Sequence, residues 1–328
     1  MPSSTDRIWE TARGFMASRV ILSGVEIGVF EALGNGPCSS QDVAATLKTD
    51  PRATDRLLNA LVVQGLLLKQ GGLFRNSEAA EQCLVPGRPG YAADGLMHTA
   101  HLWHTWTNLT EAVRNGKTPA REEATSANRA DAFIAAMHHN AMSRAPLIVG
   151  ALDLTGVNRL LDIGGGSADY AMAFCRAKNG LTATVFDLPD ICPITQGYID
   201  RAGLADRVNT YGGNYLQDAF PGGYDLALLS AVIHSNSPDE TRLLFSKAFR
   251  ALNPGGRIVV ADWFMDDERV NPPGGAMFAL NMLVGTESGD TYTESETAQW
   301  LSGAGFDAIR RTDLAGGATS LMIGSKPR

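Results

Sequence analysis

"LLDIGGGSADYAMAF", residues 160–174, sets an apolar strand-like run against three consecutive glycines, and those glycines against an apolar-periodic helix. In an open α/β sheet, ligands sit outside the carboxyl ends of the strands, where glycine lets the backbone come close to them. Gly164, Gly165 and Gly166 occupy that place. A dinucleotide fingerprint needs G-x-G-x-x-G. Gly164 and Gly166 fit its first two positions, but Asp169 stands at the third. Any strand–helix turn can use glycine, so the neighbouring residues decide.

Two sets of acids do so. "VFDLP" ends the next apolar run at Asp187, 21 residues past Gly166. A carboxylate there accepts hydrogen bonds from ribose hydroxyls, which both NAD and S-adenosylmethionine supply. Asp162 lies just before the glycines and Asp169 falls in the first helical turn. A pyrophosphate at the helix N-terminus would be repelled by them, whereas a cationic sulfonium and amino group would be attracted.

Around this centre, apolar runs at 159–164, 182–188, 207–213, 224–231 and 257–264 alternate with helical segments, except for the loop "NYLQDAFPGG" after the third. Runs at 306–314 and 319–325 follow with only a turn between them. Short buried strands alternating with helices predict an α/β fold with a doubly wound, mostly parallel, Rossmann-like sheet. The last two strands predict an antiparallel pair at its edge.

Residues 1–153 have a helical texture instead. "SSQDVAATL" predicts a short helix capped by Ser40, and "DPRATDRLLNALVVQGLL" another capped by Asp50 with Pro51 at its first position. "GLLLKQGGLFRNS" predicts a hairpin about a Gly-Gly turn. Helices followed by a hairpin make a winged-helix pattern. A DNA-reading version, such as a ligand-sensing regulator, needs a basic recognition helix. Residues 1–100 instead hold nine Lys/Arg against ten Asp/Glu, and the would-be recognition helix presents Leu57, Leu58, Leu61, Val62 and Val63. Such a surface suits a second subunit. Two further helices, beginning at Tyr91 and Arg129, flank the connector "KTPAREEATSAN". The expected division is 1–100, a helical linker over 101–153, and a ligand-binding domain over 154–328.

The net charge of −7 over 328 residues argues against a general nucleic-acid or anionic-membrane binder. No apolar run is long enough for a membrane span and no leader-like segment opens the chain. Four scattered cysteines without CxxC pairing read as reduced thiols of a cytoplasmic protein. His98, His101 and His104 recur every three residues. That step drifts by about 60° around a helix, so pocket-lining or surface roles suit them better than a shared metal.

In order along the chain, the winged-helix unit, "LLDIGGGSADY", "VFDLPD", "GGNYLQDAFPGGYD", "SAVIHSNSPDE" and "LNPGGRIVVAD" resemble the class I S-adenosylmethionine-dependent methyltransferases. They are most similar to the small-molecule O-methyltransferases of the caffeic-acid and hydroxyindole type. The resemblance implies a homodimer joined through the N-terminal domain, S-adenosylmethionine converted to S-adenosylhomocysteine, and a small, aromatic hydroxyl acceptor. It assigns Asp162, Gly164 and Gly166 to the methionine end of the cofactor, Asp187 to its ribose, and Leu188, Asn214 and Tyr215 to its adenine. Ser230 stands where the family often has Lys or Arg. Phe133, Met137, Asn140, Asn281 and Met282 match the acceptor pocket. His234 matches the general base, with Asp262 as the carboxylate that orients it.

Four positions depart from the family pattern. Asp262 replaces a Glu, Thr291 replaces a second Glu, and Ser235 and Asn236 replace the Asp-Trp that usually follows the histidine. A carbon or nitrogen acceptor, or a homologue without transfer, therefore remains an alternative. No metal is expected.

Overall fold

The computed structural model describes residues 4–116, 127–315 and 319–328. The chain divides into two compact units, residues 1–103 and 104–328. The expected linker 101–153 thus falls, but for its first three residues, within the second unit, and most of its polar connector lies outside the described residues.

The first unit begins with α1 (Ser4–Glu26), α2 (Val29–Ala32), β1 (Cys38–Ser39), α3 (Ser40–Leu47) and α4 (Pro51–Val63). It continues with β2 (Leu67–Gln70), β3 (Leu73–Asn76), α5 (Glu78–Leu84) and α6 (Ala93–Trp106), whose last turn crosses the division. The cap of α3 is Ser39, one residue before the expected Ser40. Its side chain accepts from Asp42 N while the Asp42 carboxylate accepts from Ser39 N, a reciprocal box that satisfies two otherwise orphaned donors. Asp50 caps α4, with Pro51 at the first helical position. Strands β2 and β3 pair antiparallel about Gly71 and Gly72, and β1 adds to the far side of β3. Val29, Phe30, Val43, Leu58, Leu61, Leu67 and Phe74 form the core of this unit.

The second unit opens with α7 (Leu109–Asn115) and α8 (Ala127–Gly150). The single helix expected from Tyr91 onward is therefore two, α6 and α7. Next come β4 (Arg159–Ile163), α9 (Asp169–Ala177), β5 (Thr182–Asp187), α10 (Cys192–Arg201), β6 (Val208–Gly212) and β7 (Tyr224–Ser230). After these come α11 (Pro238–Ala251), β8 (Leu252–Asp262), β9 (Phe264–Met265), α12 (Pro273–Gly285), β10 (Tyr292–Thr293), α13 (Glu294–Gly303), β11 (Asp307–Asp313) and β12 (Ser320–Ser325). The seven-stranded sheet has the order β11-β12-β8-β7-β4-β5-β6. All pairs from β8 to β6 are parallel, and β12 runs antiparallel to both β8 and β11. The fifth long strand begins earlier than expected, at Leu252, and stops at Asp262. Phe264 and Met265 instead pair with Tyr292 and Thr293 in a separate two-stranded ribbon.

Side-chain parity explains the near-continuous apolar runs. Leu160, Leu226 and Leu228 face a core shared with α8, α9 and α10, while Leu161, Leu229 and Ile163 face one shared with α11 and α13. Each side chain so buried contributes about 1.5–3 kcal/mol. The strand order reverses between β4 and β7, because the chain proceeds outward from β4 in one direction and from β7 in the other. Ligands of open α/β sheets bind at such a switch point.

Candidate active site

The glycine loop leaves β4 at this switch point. Gly164 and Gly166 adopt left-handed backbone, with φ of 68° and 52°. At Gly165 a Cβ would lie 2.7 Å from the Asp162 side chain, so only glycine lets the loop fold down over that acid. Asp162 shares the parity of Leu160 and points beneath α9, where its Oδ2 accepts from Ala171 N at 3.3 Å. It is 0% exposed, and its Oδ1 has no partner. Burial, aided by the negative charges of Asp187 and Asp169, pushes its pKa up to about 7. Asp162 therefore sits under the loop, out of direct reach of anything bound above it.

Asp187 ends β5 beside the loop. Its Oδ2 accepts from Gly166 N at 2.8 Å and its Oδ1 from Leu188 N at 2.7 Å. Burial raises its pKa, and these two bonds oppose the rise. A carboxylate has about four acceptor positions, so Asp187 keeps acceptor capacity for a diol. Leu188 is exposed beside it. Tyr215 reaches the loop from the segment after β6, its ring 3.8 Å from where a Cβ of Gly164 would be. The amide oxygen of Asn214 accepts from Leu216 N at 2.9 Å, holding the turn that presents Tyr215. Ser230, at the end of β7, hydrogen-bonds the Tyr170 hydroxyl. The unpartnered buried acid, the close-approach loop and the ribose-type carboxylate together fit S-adenosylmethionine.

His234 follows on the other side of the switch point. Ala231 takes left-handed backbone (φ 57°), and residues Ile233–Ser235 form one 3-10 turn. Ser237, Pro238 and Glu240 then start α11 with a capping box, so the polar "SNSPDE" is a helix start. This turn touches the glycine loop, since a Cβ at Gly164 would lie 3.0 Å from Val232. Asp262, the last residue of β8, receives His234 Nδ1 at 2.8 Å on Oδ1 and 3.0 Å on Oδ2. Trp263 N donates to the same carboxylate at 2.8 Å. The His234 side chain is 12% exposed and that of Asp262 2%. With Nδ1 donating to Asp262, the neutral ring carries its lone pair on Nε2.

Three neighbours fix the histidine further. Phe278 of α12 meets the imidazole edge-on, with ring centroids 4.8 Å apart, and Trp263 lies against Phe278 at 5.9 Å. Asn236 is buried where the family carries Trp. Its side-chain amide donates to Val232 O at 2.8 Å, and its backbone carbonyl accepts from the Tyr292 hydroxyl. Gly289 packs against the His234 carbonyl so closely that a Cβ there would lie 2.3 Å away. Thr291 is buried and donates to Gly275 O at 3.3 Å, while Asp290 lies 3.5 Å from Arg269. The single carboxylate partner of the His234 ring is thus Asp262 among the described residues.

The candidate acceptor residues separate into two groups. Met282 is buried on α12 and Asn281 accepts from Trp106 Nε1 at 2.9 Å. Phe278, one turn earlier on the same face, was detectable as an aromatic three residues before Asn281 on an apolar helix. On α8, Phe133 is 48% exposed and Asn140 is exposed. Met137 is half-buried. The α8 residues that meet the glycine loop are Ile134, against Gly166, and His138, bonded to Asp169 at 2.8 Å. The sequence gives no signal for the His138–Asp169 pair, whose partners lie 31 residues apart. On α6, burial and the nearby His101 lower the pKa of His98. Among the described residues no three His, Cys, Asp or Glu side chains gather to hold a metal ion, and no helix is long and apolar enough to cross a membrane.

Comparison with known proteins follows the same division. Residues 9–86 match the O-methyltransferase dimerisation domain and residues 106–307 the O-methyltransferase domain. The chain is similar to a 3-hydroxy-5-methyl-1-naphthoate 3-O-methyltransferase of Streptomyces sahachiroi, at 31% identity over 97% of this chain and 94% of the relative. It is similar to an N,N-dimethyltransferase of Streptomyces rimosus at 29% identity, over 94% and 93% of the two chains. The crystal structure of human N-acetylserotonin methyltransferase in complex with S-adenosylmethionine superposes with a TM-score of 0.88 at 26% identity, over 100% of this chain and 99% of that one.

Proposed function

The chain belongs to the S-adenosylmethionine-dependent O-methyltransferase family, and we propose that it methylates a hydroxyl of a small aromatic metabolite with His234 as general base. The observation that carries this reading is the His234–Asp262 pair, 2.8 Å apart and set beside the glycine loop at the switch point. When bound, S-adenosylmethionine supplies a methyl group on a sulfonium, open to in-line displacement. Gly164 and Gly166 cradle its methionine end, Asp187 accepts from its ribose hydroxyls, and Leu188, Asn214 and Tyr215 flank its adenine. Met282, Asn281 and the aromatic wall of Trp263 and Phe278 hold a flat acceptor beside His234, with Phe133, Met137 and Asn140 at its outer side.

Nε2 of His234 is placed to take the hydroxyl proton of the acceptor, which would make that oxygen nucleophilic towards the methyl group the cofactor would supply as its carbon–sulfur bond breaks. Asp262 keeps the ring in the tautomer that has this lone pair and then stabilises the imidazolium. Alignment of the reacting atoms can contribute about 7–11 kcal/mol, and the base a further ~10²–10⁴-fold in rate. The protein acts as a homodimer through its N-terminal domain. Support comes from the dimerisation-domain match and from Ile8, Trp9, Phe15, Met16 and Val63, all apolar and exposed in the single chain. Four unpaired cysteines suit a reducing, cytoplasmic setting, and the net charge of −7 suits a small acceptor better than nucleic acid.

Labelled S-adenosylmethionine offered with matched panels of phenols and anilines tests the proposal. Label on a phenolic oxygen is the expected product. Label on nitrogen alone would favour the second reading, N-methylation, which the dimethyltransferase relative motivates. No transfer to either panel would contradict both.

A further inference from the structure

A second histidine–carboxylate pair lies in the same unit, and the methyl-transfer chemistry does not use it. His138 Nδ1 of α8 is 2.8 Å from Asp169 Oδ2, and Ser167 Oγ donates to that same oxygen at 2.5 Å. Between Ser167 and Asp169 stands Ala168, fully buried and held at φ 64°. For a residue with a Cβ, that left-handed conformation costs about 1–2 kcal/mol. Such a conformation persists only where the surroundings over-determine it. Here the Ser167–Asp169 bond bridges Ala168 directly, and His138 ties the bridge to a helix. Ala168 is also the residue at which the glycine loop becomes α9, and two residues before it Gly166 binds Asp187.

We propose that His138 is a positioning residue that latches α8 to the cofactor loop through Asp169 and Ser167, and so sets the affinity for S-adenosylmethionine. The inference rests on the assignment of the glycine loop to the cofactor. With the latch closed, the loop is already in its binding conformation. With it open, Ala168 relaxes towards ordinary backbone and part of the binding energy goes into restoring the turn. His138 touches neither reacting atom, so its effect falls on cofactor binding and leaves the chemical step alone.

Side-chain geometry supplies a discriminating series. The amide nitrogen of asparagine is attached to Cγ, as Nδ1 of histidine is, whereas that of glutamine lies one bond further out. The dissociation constant of S-adenosylmethionine is measured by titration calorimetry on the full-length protein, with kcat at saturating cofactor and a thermal melt for each variant. His138→Ala and His138→Gln are expected to weaken binding about fivefold, the equivalent of one lost hydrogen bond, with kcat held. His138→Asn is expected to remain within about twofold of the parent. Ser167→Ala should follow His138→Ala. Parent-like affinity in His138→Ala, or an asparagine variant as weak as the alanine one, would overturn the latch. Asp187→Ala separates this from the underlying assignment. If it binds like the parent, the loop is not the cofactor site and the latch falls with it. If it loses binding while His138→Ala does not, the latch alone is wrong.

Discussion

Two histidines of the same unit each place Nδ1 2.8 Å from an aspartate oxygen, yet their surroundings differ at every other point. Asp262 is 2% exposed and, among the described residues, accepts only from His234 and the backbone amide of Trp263, so the pair ends in the histidine's remaining nitrogen. Asp169 is 10% exposed and passes its contact on to Ser167, while the His138 ring, 32% exposed, lies against Tyr198 at 4.6 Å. One pair terminates where a substrate proton can be received. The other runs through the carboxylate into the backbone of a loop. On the roles proposed above, the same two side chains serve proton transfer or loop geometry according to what lies at the far end of the network.

Breaking each pair should give losses of different kinds. The largest effect expected from a carboxylate is at Asp262. Asp262→Asn removes the preference for the productive tautomer and should lower kcat by about 10²-fold, a large part of what a general base supplies, with cofactor affinity unchanged in calorimetry. Next comes Asp187→Ala, which removes the charged hydrogen bonds proposed for the ribose. Each is worth about 1.5–3 kcal/mol, so affinity should fall about ten- to a hundredfold.

A smaller effect distinguishes the acid under the loop from both pairs. The carboxyl of Asp162 holds its proton up to about pH 7, against an ordinary value of 3.8. Its contribution to stability is therefore complete below about pH 4 and is lost as the pH rises through about 7. A bound sulfonium favours the ionised form. Binding near pH 7 should then release protons, seen as a dependence of the calorimetric heat on the ionisation enthalpy of the buffer. Equal heats in all buffers would contradict this. The smallest effect expected is at Ala168. Ala168→Gly relieves the left-handed strain and should raise stability by up to about 1 kcal/mol, a rise in Tm of about 2–4 °C.

The sequence made one of the two pairs readable. The apolar run before His234 marked it as a strand end, and the family resemblance set Asp262 against it; the expected fifth strand ran on to residue 264, and the structure ends β8 at Asp262, beside the end of β7. The place of Asp187, at a strand end beside the glycine loop, was readable from the apolar run that it closes. The other pair depends on the register of α8 against α9, which no local pattern encodes. The same holds for Ala168, since nothing in "GGGSAD" marks an alanine for left-handed backbone. The Ser40 cap missed by one residue because Ser39 and Ser40 offer the same hydroxyl, and only Asp42 three residues after Ser39 completes the box. The fifth strand ended early because Phe264 and Met265 leave the main sheet to pair with Tyr292 and Thr293.

The central claim is that His234, oriented by Asp262, takes the acceptor proton. Its most direct test is the single-turnover rate of methyl transfer by His234→Ala at saturating S-adenosylmethionine, beside the calorimetric affinity of the same variant for the cofactor. The account predicts a rate lower by about 10²–10⁴-fold with affinity within about twofold of the parent. A rate equal to the parent's, with binding intact, would contradict it.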